Sequence, residues 1–277
     1  MKKILLTLAA IAAILPSFCS CQKAETIRVM SFNIRLGVAN DKENHWDLRK
    51  EATPAMLADK DPLVFGVQEA YKFQLDYILE NCPQYACVGV GREDGVDKGE
   101  HMSVFYKKDL VELEDWGTYW LSETPDEPSK GWDAACFRTA TWTLLKIKET
   151  GRHFYFVNTH LDHVGVEARK NGLALIVSRI GDMNPEGYPM VLTGDFNVKP
   201  NDPCLEDLNK IMYSARAFAE DSDTKGSFNA WGRSEQAIDY VYYAGFKKCT
   251  DFKVVDKTYA EKPYISDHYP VIATLVF

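Results

Sequence analysis

Six short polar groups recur at the ends of β-rich runs: Asn33; Gln68 and Glu69; Asn158, Thr159 and His160; Gly194, Asp195 and Asn197; Asp239; and Ser266, Asp267 and His268. Taken singly, each has an ordinary structural reading, such as a turn residue, an interior ion-pair partner or a satisfied histidine. Folding alone does not require acids, amides and histidines at all six ends. Brought to one edge, they would supply hard oxygen ligands for Mg²⁺ and two imidazoles able to act as acid, base or oxyanion donor. A competing nucleophile is not evident: Gly-x-Ser-x-Gly does not occur, and the cysteines have no nearby histidine in sequence.

The elements that must position these residues follow from hydrophobic periodicity. Strands are expected at 26–34, 62–68, 85–90, 102–106, 110–120, 138–148, 153–158, 189–194, 238–243, 249–255 and 271–277. Runs 138–148 and 153–158 read as a hairpin around Thr150-Gly151. Helices are expected at 46–60, with Pro54 bending it or marking its true start, at 71–81 with Phe73, Tyr77 and Ile78 on one face, and at 166–180 with Leu173, Leu175, Ile176 and Ile180 apolar. Strands joined by both hairpins and helices imply mixed sheets in a single α/β domain. Two long irregular segments, 91–101 and 122–137, have the length of loops that serve a site.

Composition narrows the class. The 277 residues are 46% apolar and 12% aromatic, which excludes a disordered chain, and carry a net charge of −8. Lys2 and Lys3 precede the apolar run 4–15, then Pro16 and Ser17, the layout of a bacterial export signal that is too short to span a bilayer. Ser20-Cys21 resembles a lipobox, so residues 1–21 are expected to be a lipoprotein-type signal, 22–26 a short tether and 27–277 the folded domain. The expected location is periplasmic, outer-membrane or cell-surface, with membrane contact only through the lipid and without an obligate protein partner. Removing 1–21 takes two lysines and no acid, leaving 30 basic against 40 acidic residues, which disfavours a non-specific grip on nucleic acid. The five remaining cysteines read as scattered thiols, with one Cys82–Cys87 bridge as the alternative.

The motifs SFNIR (31–35), QE (68–69), NTHLDH (158–163), TGDFN (193–197), IDYVY (238–242) and SDHYPV (266–271), in that order, resemble the endonuclease/exonuclease/phosphatase superfamily. WLSETP (120–125) and FRTATW (137–142) resemble its branch of carbon-catabolite-repressor-type deadenylases, nocturnin and exported bacterial hydrolases, without the leucine-rich repeats of some deadenylases. The resemblance implies a four-layer α/β sandwich of two mixed, mostly antiparallel sheets flanked by helices, and a Mg²⁺-dependent phosphoester hydrolase, with Mn²⁺ as an alternative ion. It implies Glu69, helped by Asn33, as metal ligand, with Asp267 joining through water. Asp195 and Asn197 would position water and phosphoryl oxygens, and Asp239 would orient His268. His160 would be the second histidine, oriented by Glu100, and Arg138 would hold a phosphate oxygen. Trp132, between Gly131 and the 133–137 stretch, is expected to close over a base or sugar ring. The expected substrate is a phosphorylated small molecule or phospholipid headgroup, ahead of single-stranded nucleic acid cleaved by a 3′–5′ exoribonuclease of the deadenylase type; a non-catalytic surface binding protein is the remaining alternative.

Overall fold

The computed structural model describes residues 25–277; the export signal and most of the tether expected from the sequence lie outside the described residues. Among the described residues thirteen strands and six α-helices follow in the order β1 (Thr26–Asn33), α1 (Trp46–Arg49), α2 (Ala52–Lys60), β2 (Val64–Gln68), α3 (Lys72–Asn81), β3 (Tyr85–Val88), β4 (Val104–Lys107), β5 (Val111–Trp120), β6 (Thr139–Ile147), β7 (His153–His160), α4 (Val166–Met183), β8 (Met190–Asp195), α5 (Glu206–Ile211), β9 (Tyr213–Ser214), α6 (Ala215–Phe218), β10 (Asp221–Ser222), β11 (Asp239–Ala244), β12 (Lys248–Val254) and β13 (Val271–Val276). They form a seven-stranded sheet, β10-β12-β13-β1-β2-β4-β3, and a six-stranded sheet, β5-β6-β7-β8-β11-β9.

Three apolar layers hold the sandwich together. Val29, Val64, Val104, Phe154, Phe156, Val191 and Val271 fill the space between the sheets. The outer face of the larger sheet packs Phe32, Phe65 and Val67 against Trp46, Met56, Leu57, Leu75 and Ile78 of α1 to α3. Across the smaller sheet, Val157 and Leu192 meet Leu173, Ile176 and Ile180 of α4. Each such side chain taken from water contributes roughly 1.5–3 kcal/mol. β2, with helices on one side and a second sheet on the other, is buried at all five positions and so reads as an unbroken apolar run. Its Gly66 admits a close approach, since a Cβ there would meet the Asn158 carboxamide at 2.3 Å.

Chain direction gathers the polar strand ends. β1 and β2 are parallel, as are β7 and β8, each pair joined through a helical crossover. The terminal rungs of these pairs are Asn33↔Gln68 and His160↔Asp195. β11 runs antiparallel to β8, which sets its first residue, Asp239, opposite Asp195. β13 runs antiparallel to β1, so the Ser266-Asp267-His268 turn that precedes it arrives beside the same rung.

Departures from the sequence reading have local causes. The 46–60 helix is two helices broken at Lys50-Glu51, and Pro54 falls in the first turn of α2, where its missing N–H costs no intrahelical bond. Phe73 is exposed, contrary to expectation; Gln74, Leu75 and Ile78 form the buried face of α3. The buried Gln74 carboxamide accepts from Gly37 N (2.8 Å) and donates to Arg35 O (3.0 Å), satisfying backbone that an apolar residue would leave unpaired. The short elements between 203 and 222 carry no detectable periodicity in two to six residues and rest on tertiary packing of Leu208 and Ala215. Cys82, Cys87, Cys136, Cys204 and Cys249 are all free thiols, and no described helix is long and apolar enough to cross a membrane.

Candidate active site

A cleft of about 450 Å³ opens over the two terminal rungs, bordered among others by Arg35, Glu69, Glu100, Arg138, His160, Asp195, Asn197, Asp267 and His268. Under it lies a fully buried polar lattice joining the two sheets: Gln68 Nε2 donates to Asn158 Oδ1 (2.7 Å), Asn158 Nδ2 donates to Val67 O (2.8 Å) and Ser103 O (3.1 Å), and Thr193 Oγ1 donates to Asn158 Oδ1 (3.1 Å). These directional bonds set the register of one sheet on the other where apolar contacts alone would tolerate sliding.

Asn33 links the rungs. Its Nδ2 donates to Glu69 Oε1 and to Asp195 Oδ2, both at 3.0 Å, while its Oδ1 accepts from Arg35 N (3.0 Å). The structure therefore turns the amide nitrogen, and not the oxygen, toward the carboxylates, so Asn33 orients Glu69 where the sequence suggested it as a metal ligand. Glu69 Oε2 accepts from Leu36 N (3.0 Å), and Arg35 stands 3.8 Å from Glu69 and 3.7 Å from Asp267. Burial first, then the nearby Glu69 charge, raise the Asp267 carboxyl against the opposing His268, Arg35 and Arg49 charges. Two largely buried carboxylates with oxygen donors fit a hard divalent cation, which would relieve their mutual repulsion.

Asp195 occupies the centre. Asn197 N donates to its Oδ1 (2.9 Å), and its Oδ2 lies 3.5 Å from His160 Nε2 and 3.6 Å from His268 Nε2. Burial, together with the Asp239 charge, lifts the Asp195 carboxyl to about 7 despite His268 and the hydrogen bonds from Asn197 and Asn33. His268 Nδ1 donates to Asp239 Oδ2 at 2.8 Å, and the ring packs on Phe228 with centroids 4.8 Å apart. Burial opposes the imidazolium, but Asp239 and Asp195 outweigh it and raise His268 to about 10. Asp195, Asp239 and His268 offer ligand atoms within 4.8 Å of one another. His268 Nδ1 is already engaged by Asp239, so the three residues form a hydrogen-bonded triad.

The opposite wall is built otherwise. Asn197 Nδ2 donates to Leu161 O and to His160 Nε2, both at 3.0 Å; the carbonyl contact fixes the amide orientation, so Nε2 is the acceptor and the neutral ring carries its proton on Nδ1. Burial, then the charges of Arg138 and Arg92, hold His160 well below the usual histidine range. Glu100 does not orient His160 as expected: its carboxylate is taken by Arg92 at 2.7 Å, and His160 Nδ1 has no protein partner. Arg138 is anchored by Asp162 (3.3 Å) and by His163 Nδ1 (3.0 Å), leaving its buried Nη1 without a partner in the same wall. Asp162 accepts from the backbone N–H groups of Ala135, Cys136, Val164 and Gly165 besides Arg138. That saturation keeps it from serving a metal with the neighbouring Cys136 and His163. Trp132 is half-buried in its loop, its N–H donating to Glu123, and is not part of the cleft lining.

Sequence reasoning missed Arg35, Gln74 and His163. Arg35 and His163 stood inside the motifs SFNIR and NTHLDH, so their positions were visible and their partners were not; Arg92, in the first long loop, reads from the sequence as a contact to phosphate or hydroxyl groups, and its partner Glu100 is what the structure adds. Arg35 (φ 61°), Glu69 (φ 63°) and Asn197 (φ 54°), which line the cleft, occupy left-handed backbone as non-glycine residues.

The description of the Endonuclease/Exonuclease/phosphatase family matches residues 30–268. The chain is 33% identical to a solved endonuclease/exonuclease/phosphatase family protein of Bacteroides thetaiotaomicron, with a TM-score of 0.87, covering 92% of this chain and 99% of that one. It is also 33% identical to a solved mannosyl-6-phosphatase of the same organism, TM-score 0.86, over 91% of this chain and 100% of that one. Nocturnin of Drosophila melanogaster is 22% identical over 90% of this chain, which spans about half (46%) of nocturnin's length.

Proposed function

The chain belongs to the endonuclease/exonuclease/phosphatase family, whose members hydrolyse phosphoester bonds, and from that premise we propose that it cleaves the phosphoester of a phosphorylated small molecule, with Mg²⁺ as its cation and sugar phosphates as the leading substrate class. The observation that carries this reading is Asp195: one buried carboxylate, raised to about 7, touching both histidines and the amide that reaches Glu69.

A carboxylate titrating near neutrality suits a general base. Asp195 accepts the proton of the attacking water, the water oxygen bonds to phosphorus as the bond from phosphorus to the ester oxygen breaks, and the departing alkoxide takes its proton from solvent water. The His268 imidazolium, held charged by Asp239, stands where it stabilises charge on the phosphoryl oxygens. Arg138 Nη1 and His160 Nδ1 are buried donors on the facing wall whose missing acceptor a non-bridging oxygen would supply. Glu69 and Asp267 would hold a divalent cation, which when bound supplies further neutralisation of the phosphoryl charge.

The small-molecule reading rests on the net charge of −8, on a cleft of limited volume, and on the full-length likeness to a protein described as a mannosyl-6-phosphatase. A panel of sugar phosphates, nucleotides, phosphoinositides and oligonucleotides, assayed with Mg²⁺ and after exhaustive chelation, tests it. Sugar phosphates are expected to turn over fastest and only with the metal; preference for oligonucleotides would transfer the protein to the nucleases, and full activity after chelation would remove the metal. Export with a lipid on Cys21 accompanies this reading, and membrane retention that is lost in Cys21→Ala is its check.

A further inference from the structure

Arg49 is 2% exposed, one of the largest fully buried side chains among the described residues, and its hydrogen bonds all go to backbone carbonyls instead of a carboxylate. Its Nε donates to Asn44 O (2.9 Å), its Nη1 to Ile34 O (2.9 Å) and Ile265 O (2.7 Å), and its Nη2 to Arg35 O (3.2 Å). The guanidinium lies between two indoles, 5.3 Å from the Trp46 ring centre and 5.6 Å from that of Trp231. Burial draws it down to about 10, which leaves it charged at neutral pH.

The four carbonyls belong to three separate stretches of chain. Ile34 and Arg35 follow Asn33 directly; Ile265 precedes Asp267 and His268 by two and three residues; Asn44 opens the approach to α1. Trp231 sits in the loop whose Asn229 and Ala230 N–H groups donate to Asp267 O at 2.8 and 3.0 Å. Arg35 and Trp231 are both held in left-handed backbone, at φ 61° and 59°, and such strain persists only where surrounding contacts over-determine it.

We propose that Arg49 is the positioning residue of the Glu69–Asp267 half of the cleft, joining the end of β1, the 265–267 turn and the Trp231 loop so that the two carboxylates stand at a spacing that a divalent cation accepts. The inference rests on the hydrolase reading for its kinetic consequence but not for its metal-binding one. Planarity is essential to the part: a guanidinium can fork to four carbonyls beside two indole rings, and a lysine ammonium offers three donors and no plane.

Arg49→Lys separates geometry from charge, because it keeps the cation and loses the fork. Met56→Ala, in the same apolar layer but with no hydrogen bond to these segments, is the control for stability alone. Titration of the metal-free proteins with Mn²⁺ by calorimetry, alongside melting temperature and steady-state kinetics on the best substrate, is the experiment. The expected result is a roughly tenfold weaker Mn²⁺ affinity and a kcat lowered about tenfold or more in Arg49→Lys with KM changed little, and wild-type values for both per folded molecule in Met56→Ala even where its melting temperature drops as far. Unchanged Mn²⁺ affinity in folded Arg49→Lys, or equal losses in the two variants, would overturn the proposal. A wild-type protein that binds Mn²⁺ yet hydrolyses no phosphoester would defeat the hydrolase reading and leave the role of Arg49 standing on the titration.

Discussion

His160 and His268 face each other across Asp195, are equally buried at 4% exposure, and are pushed in opposite directions: His268 up to about 10, His160 well below its usual range. Burial disfavours both imidazolium ions alike. The difference comes from what the fold sets behind each ring, Asp239 in hydrogen-bond contact on one side and the Arg138 and Arg92 cations on the other. One cleft thereby holds a permanent cation and a neutral imidazole at neutral pH, an asymmetry that suits a reaction in which one wall stabilises charge and the other donates neutral hydrogen bonds.

The largest effect is expected from removing the charged wall. His268→Ala and Asp239→Asn should each lower kcat by roughly 10²–10⁴, and the double variant should be scarcely slower than either, because the two act as a unit. Multiplicative losses in the double variant would show that Asp239 supports the fold and not the ring. His160→Ala should retain all but its own share of the rate, and loss of the basic limb of the pH profile in that variant would reverse the assignment of the two walls.

The pH profile comes next. The rate should rise through about 7 as Asp195 ionises and fall through about 10 as His268 loses its proton, with both limbs belonging to the coupled pair. The stability that His268 contributes has the same upper limit: its folded value lies above the ordinary 6.5, so the contribution is complete below that value and lost as the pH rises through about 10. Melting temperature between pH 7 and 10 should therefore decline more steeply in the wild type than in His268→Gln, and parallel curves would contradict the charge assignment.

A smaller and more selective change sharpens the other wall. Arg138→Gln should raise the His160 pKa in an NMR titration of the imidazole signals while leaving His268 where it is. Movement of His268 instead would place the arginine on the wrong wall. The least effect is expected at Trp132→Ala, where kcat/KM should change by less than about threefold, since Trp132 lies outside the cleft lining; a tenfold loss would restore the loop-closure role suggested by the sequence.

Much of this arrangement was legible in the chain. Alternating and continuous apolar runs located the longer strands within a few residues, because burial on one or both faces of a sheet imposes a period of two or an unbroken run on the side chains. The strand-end residues Asn33, Glu69, His160, Asp195, Asp239 and His268 stood out because nothing about strand formation calls for them. The 203–222 elements were not legible, being held by contacts from elsewhere, and the exposed Phe73 beside the buried Gln74 reversed the apolar rule, since the loop at Arg35 and Gly37 needed an amide more than the core needed a ring.

The residue types at the site and the strand ends that carry them were thus determined by the sequence alone, through local periodicity and chemistry that any stretch of a few residues displays. Only the tertiary structure decided the partners: that Glu100 goes to Arg92 and leaves His160 Nδ1 free, that Asn33 turns its nitrogen to Glu69 and Asp195, and that Arg49 reaches a carbonyl 216 residues away along the chain. Charge and hydrogen-bond pairing act over a few ångströms in space with no fixed relation to distance along the chain, so two histidines of identical type and burial acquire different protonation states from neighbours that no local pattern reveals.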